Sequence, residues 1–129
     1  KPDITFGPNN AEAESFLNLY RQYYETAKDE KLWENDVGIY ALKLGKEIAI
    51  VSHPAELFNE YGKEIKKKSP VKYTLVSELT NGYVGYVPTK ESFKEGGYEV
   101  RKIYRNSHLE IDAGEKILIE SLKILQCSL

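Results

Sequence analysis

A single cysteine, Cys127, in 129 residues excludes an internal disulfide and a cysteine-based zinc site. It stands two residues from the end of the sequence, a poor place to hold a reactive nucleophile. No charge of one sign dominates: 18 basic residues face 20 acidic ones, a net charge of -2, so nothing global draws the chain to nucleic acid. No apolar run approaches the roughly 20 residues that span a bilayer. No signal peptide is legible, and a chain that begins at Lys1 reads as trimmed. The sequence also lacks an internal repeat, a low-complexity tract, a glycine-rich phosphate loop, a Ser-His-Asp arrangement and a Cys-His pair.

What is present describes one folded unit. Hydrophobic residues make up 41% and charged residues 29%, which excludes disorder over most of the length. Tyrosine occurs ten times against four phenylalanines. Tyrosine suits half-buried faces, where the ring packs and the hydroxyl stays wet.

Residues 1–9 read as an irregular lead-in, followed by a helix from Asn10 to about Lys28. Phe16, Leu17, Tyr20, Tyr23, Tyr24 and Ala27 form its apolar stripe. Asp29 to Asp36 reads as a charged loop with Leu32 and Trp33 tucked inward. Val37–Leu44 and Glu47–Val51 make a hairpin turning at Gly45-Lys46. The unbroken run Ile48-Ala-Ile-Val51 predicts a strand covered on both faces.

A helix follows Pro54, from about Ala55 to Lys67, burying Phe58, Tyr61 and Ile65. The Lys66-Lys67-Lys68 triplet reads as its solvated end rather than a nucleic-acid patch. A third strand covers Lys72–Ser77, and residues 78–100 carry little regular pattern. Such a long loop in a compact domain is usually functional. Arg101–Tyr104 reads as a short extended piece, and Asp112 with Glu115 as the capping box of a last helix that buries Ile117, Leu118, Leu122 and Leu125. The order predicts an α/β fold, a layered mixed sheet with helices packed on it.

Two segments are dense in chemistry. Asn81-Gly-Tyr-Val-Gly-Tyr86 is either a glycine-rich turn with tyrosines over it or a close backbone approach to a ligand. At Val51-Ser-His-Pro-Ala-Glu56 a buried strand gives way to the predicted helix, and strand ends beside helix starts are common ligand sites in α/β folds. Glu56 fits a metal ligand, a general base, or a first-turn acid facing the helix dipole. His53 fits a ligand, an acid–base group or a satisfied core histidine, and His108 reads as exposed.

Taken together, the strand Ile48–Val51, then Pro54-Ala55-Glu56-Leu57-Phe58, then Asn81-x-Tyr83-x-x-Tyr86-x-x-Thr89-x-x-x-Phe93 and Gly97-Tyr98-Glu99, resemble the C-terminal part of the catalytic domain of neutral/alkaline ceramidases. The likeness is to the bacterial ceramidase-like branch and spans residues 37–126, with 1–36 as a helical lead-in. The resemblance implies a zinc-dependent amidohydrolase that cleaves ceramide-like N-acyl amides to a long-chain amine and a fatty acid, in a periplasmic or secreted setting. It implies Glu56 and Tyr86 as zinc ligands, with Asn81, Tyr83, Thr89 and Tyr98 shaping the loop and the substrate side of the site. Carboxylate and phenolate oxygens suit a hard or borderline cation.

The sequence departs from the family in having Ala55 where the family has glycine, and the family's two zinc histidines and active-site serine have no counterpart here. The chain is therefore expected to be the distal, partial domain of a larger hydrolase. Its partner would be the missing N-terminal part or a companion chain, and by itself it should be inactive. A non-catalytic α/β binding or interaction module that kept the fold is the alternative. A partial domain should expose apolar surface where its other half docks, or hide it by homo-oligomerisation.

Overall fold

The computed structural model describes residues 14, 15, 18, 21, 36–101 and 106–127. The chain divides into two compact units, Lys1–Glu34 and Asn35–Leu129. In the first, residues 14, 15, 18 and 21 are helical, within the predicted 10–28 helix. The predicted lead-in, the apolar stripe, Leu32 and Trp33 lie outside the described residues, as does most of the predicted piece at 101–104.

The second unit is built on the predicted hairpin. Strand β1 (Tyr40–Leu44) pairs antiparallel with β2 (Ile48–Ser52), Leu42 opposite Ile50 and Leu44 opposite Ile48. Gly45 turns the chain at φ 68°, a conformation open to a residue without Cβ. After β2 the chain forms β3 (Glu56–Leu57) and α1 (Asn59–Lys68), then returns as β4 (Tyr73–Ser77). Strand β4 lies parallel to β2, Ile50 opposite Leu75. The result is a mixed three-stranded sheet in the order β1-β2-β4. Strand β5 (Tyr86–Val87) pairs with β3 in a second, two-stranded sheet, and α2 (Lys90–Glu95) and α3 (Ala113–Cys127) follow. The α/β layering predicted from the sequence is the architecture observed.

The period of two in the strands divides the sheet into unlike faces. Ala41, Ala49, Val51 and Val76 join the core with Tyr61 and Ile65 of α1 and Ile117 and Leu125 of α3. Helix α3 fits closely because its inward stripe includes Ala113, Gly114 and Ser121, and the Tyr61 ring lies where a side chain at Gly114 would stand.

The opposite face carries Tyr40, Leu42, Leu44, Ile48, Ile50, Tyr73 and Leu75. All but the half-buried Ile50 are exposed, from 37% at Ile48 to 57% at Leu42. Thus, among the described residues, β2 is not covered on both faces as its apolar run suggested: α1 and α3 both pack on the Ala49–Val51 side.

Three further predictions are corrected. The helix expected from Ala55 starts only at Asn59, because Glu56 and Leu57 are drawn into a parallel pairing with Tyr86 and Val87. Glu56 is therefore not a first-turn acid on a helix dipole; that place belongs to Glu60. The stretch 78–100 is more ordered than its composition suggested. Thr89 caps α2 by accepting from the Ser92 amide at 3.2 Å, and Gly96 ends it at φ 82°. In the last helix, Ile117 and Leu125 are buried whereas Leu118 and Leu122 are half-buried, and Ser121 is as fully buried as Leu125. The Lys67 and Lys68 ammonium groups reach Glu64 at 3.8 and 2.8 Å, as befits a solvated helix end.

Candidate functional site

The site lies where the chain leaves β2. His53 N–H still bonds the Ser77 carbonyl at 3.0 Å, extending the ladder between β2 and β4 by one residue. The next residues are then bound, one after another, to the loop that follows β4. Thr80 donates to the His53 carbonyl at 3.0 Å, Val84 to Pro54 at 2.7 Å and Leu79 to Ala55 at 3.3 Å. Glu56 donates to the Gly85 carbonyl at 3.0 Å and Phe58 to Val87 at 3.1 Å.

This lacing forces the loop into unusual backbone. Leu79 and Asn81 sit at φ 52° and 62°; asparagine tolerates that region better than most residues. Gly85, at φ 81°, passes so close to Asn106 that an added Cβ would strike the Asn106 carbonyl oxygen.

The lacing brings the two predicted ligand residues together. Glu56 and Tyr86 are register partners on β3 and β5. In a parallel pair such neighbours project to the same side. The Tyr86 phenol donates to the Glu56 carboxylate; with this bond as the leading cause, then desolvation and nearby charge, its pKa is pushed up to about 12. The Tyr83 hydroxyl donates to Glu56 Oε1 at 3.0 Å. Burial first, and then that bond and the charge of Glu56, raise the Tyr83 pKa as well. Tyr98 meets the Tyr86 ring edge-on, with centroids 5.9 Å apart and planes at 81°. Glu78 is close enough that the Glu56 charge, after desolvation, raises its pKa.

The remaining predicted positions are structural in their immediate contacts. Asn81 occupies the left-handed turn that leads to Tyr83. Thr89 is committed to capping α2, its Oγ1 also 2.8 Å from Ser92 Oγ.

The two histidines separate from the site by different routes. His53 is fully buried, with Nε2 2.8 Å from Ser121 Oγ. Ser121 donates its one hydroxyl proton to the Ile117 carbonyl at 2.6 Å, so His53 must donate from Nε2. It is a core histidine held neutral by burial, which lowers its pKa to about 4, with Nε2 paired and Nδ1 buried without a hydrogen-bond partner among the described residues. His108 is half-buried rather than exposed, its Nδ1 3.6 Å from where a side chain at Gly85 would begin.

A pH effect follows from His53. The unfolded chain takes up a proton near pH 6.5 whereas the folded one resists until about 4. Stability is therefore intact above 6.5 and falls as pH drops toward 4, by about 3 kcal/mol in all. Urea denaturation across that range should show the loss, and His53→Leu should remove this component. An unchanged pH dependence in His53→Leu would contradict the assignment.

Sequence reasoning missed two contributors. Asn106, almost fully buried, donates from Nδ2 to the carbonyls of Tyr98 at 2.5 Å and Arg101 at 3.1 Å, and accepts at its own backbone carbonyl from Tyr86 N–H at 2.6 Å. It thereby ties the Tyr98 turn to β5. Nothing in Arg105-Asn-Ser-His108 signals this, since the bonds depend on chain folded 5 to 20 residues away. Glu78 was missed because it opens the 78–100 stretch, whose composition carries little regular pattern.

Chemically, the corner offers a carboxylate and a phenol as adjacent oxygen donors, a second carboxylate nearby, and tyrosine rings around them. Among the described residues no group of three or more His, Cys, Asp or Glu side chains is arranged to hold a metal ion. Glu56 and Tyr86 supply two adjacent oxygen donors, whereas a zinc site normally takes three or four protein ligands. Comparison with family models, with curated proteins and with solved structures returned no match.

Proposed function

We propose that this chain is the distal portion of a zinc-dependent, ceramidase-like amidohydrolase acting on lipid-like N-acyl amides, and that it contributes two metal ligands to a site completed elsewhere. The observation that carries the reading is the register pairing of Glu56 with Tyr86. Two oxygen donors separated by 30 positions in sequence stand side by side, in the residue types the family resemblance requires.

Glu56 supplies the anionic donor and Tyr86 a phenol whose proton must leave when a cation takes its place. Tyr98 braces the Tyr86 ring from the edge. When bound, the zinc ion supplies Lewis acidity toward the amide carbonyl and activation of water.

The apolar outer face of the sheet supports the view of a partial domain. Seven apolar side chains on one face of the sheet are what a second layer of the same protein would cover. The alternative, a non-catalytic interaction module, leaves Glu56 apart from the tyrosines. The 3.0 Å contact between Tyr83 and Glu56 favours the first reading.

The test is reconstitution with the sequence encoded upstream. The account expects hydrolysis of long-chain N-acyl amides that a chelator abolishes and Zn²⁺ restores, with none from the 129-residue chain alone. Failure of the reconstituted protein to cleave any N-acyl amide, or cleavage indifferent to chelation, would refute it.

A further inference from the structure

We propose that Tyr83 is a positioning residue for this site: its hydroxyl fixes the Glu56 carboxylate in one orientation, so that the carboxylate and the Tyr86 phenol present their oxygens together. The inference rests on the metal-site reading of Glu56 and Tyr86.

Glu56 is half-buried on a strand of only two residues, so little packing holds its side chain. A free glutamate there would lose rotamer entropy on binding a cation. The Tyr83 hydroxyl, 3.0 Å from Oε1, removes that freedom in advance. It does so without saturating the group, because a carboxylate has about four acceptor positions.

Tyr83 can act this way because its own backbone is fixed on both sides. Before it, Asn81 makes the left-handed turn at φ 62°. Gly82 then passes so near Pro54 that an added Cβ would lie 3.2 Å from the proline Cβ. After it, Val84 is buried and its N–H bonds the Pro54 carbonyl at 2.7 Å. The segment that carries Tyr83 is thus tied to the segment that leads into Glu56. The ring itself is 49% exposed, so the fold gains little from it as core. A tyrosine that packs weakly yet places its hydroxyl on the acid is better explained by what it does to that acid.

Calorimetric titration with Zn²⁺ alone, near neutral pH, separates the possibilities in the 129-residue chain and in Tyr83→Phe and Glu56→Gln. Zn²⁺ should bind the parent weakly, and Glu56→Gln should remove that binding. Tyr83→Phe keeps the ring and loses the hydroxyl. It should weaken Zn²⁺ roughly tenfold, the low end of the effect of removing a partner of a metal ligand, with the melting temperature unchanged. Parent-like affinity in Tyr83→Phe, with binding still lost in Glu56→Gln, overturns the positioning role and leaves the metal reading intact. A tenfold loss matched by a fall in melting temperature makes Tyr83 merely structural and also overturns it. Zn²⁺ binding that ignores Glu56→Gln removes the metal reading and this proposal with it.

Discussion

Gly85→Ala should cost the protein several kcal/mol of stability, the largest loss expected of any single methyl group in this fold. Two independent effects act at this position. Gly85 sits at φ 81°, where an L-residue is strained by roughly 1–2 kcal/mol. The added Cβ would also overlap the Asn106 carbonyl oxygen, which is backbone and cannot swing aside. That same carbonyl accepts from Tyr86 N–H at 2.6 Å, and the Gly85 carbonyl accepts from Glu56 N–H at 3.0 Å. Relief of the clash must therefore move β5 away from Asn106, from β3, or from both. Chemical denaturation should show a loss of about 3 kcal/mol or more, strain and overpacking together. Amide exchange should accelerate at Tyr86 and Glu56 beyond the global change. A variant within about 0.5 kcal/mol of the parent, the range of ordinary surface substitutions, would mean that the approach of β5 to Asn106 is wrongly described.

The second large effect concerns turnover. On the proposed reading, in which an upstream part completes an N-acyl amide hydrolase, Glu56→Gln and Tyr86→Phe should each lower the rate of cleavage by more than about a hundredfold, since even outer partners of metal ligands cost roughly 10–100-fold. Glu56→Gln keeps the shape of the side chain and removes its charge; Tyr86→Phe keeps the ring and removes the oxygen. Both substitutions should leave the fold in place, because both side chains are only half-buried and the strand pairing is made by backbone. Zinc content measured on the purified variants should fall with the rate. Retention of full turnover in the double variant would exclude these residues as ligands.

The two predictions also mark how far residue patterns reach. The hairpin was legible because Gly45 and the flanking apolar runs are local signals, and the last helix because its apolar spacing is regular. The extended state of Glu56-Leu57 was not legible. A strand of two residues owes its existence to a partner 30 positions away, and Pro54-Ala55-Glu56 in isolation resembles a helix start. Helix α2 was missed although Thr89-Lys-Glu-Ser92 carries its own capping signal, because the surrounding glycines and tyrosines read as loop. The open side of the sheet was illegible in another way. The alternation Tyr40-x-Leu42-x-Leu44 is interleaved with Ala41 and Lys43, and β2 is apolar from Ile48 to Val51, so the pattern does not say which face the helices choose.

The site divides along the same line. The nearness of Glu56 and Tyr86 was expected from a family resemblance, not from spacing. The part played by Tyr83 needed the turn at Asn81 and the bonds to Pro54 before its hydroxyl could be placed. His53 could not be assigned from its neighbours in sequence, since its partner Ser121 lies 68 residues away on α3.

The central claim is that Glu56 and Tyr86 donate to one cation. The most direct measurement is a crystal of the chain soaked in Zn²⁺ and mapped with anomalous scattering at the zinc edge. The account predicts a peak about 2.0–2.2 Å from a Glu56 carboxylate oxygen, with the Tyr86 phenol oxygen in the same coordination shell. A map with zinc only elsewhere, and the Tyr86 hydroxyl still donating to Glu56, would contradict it.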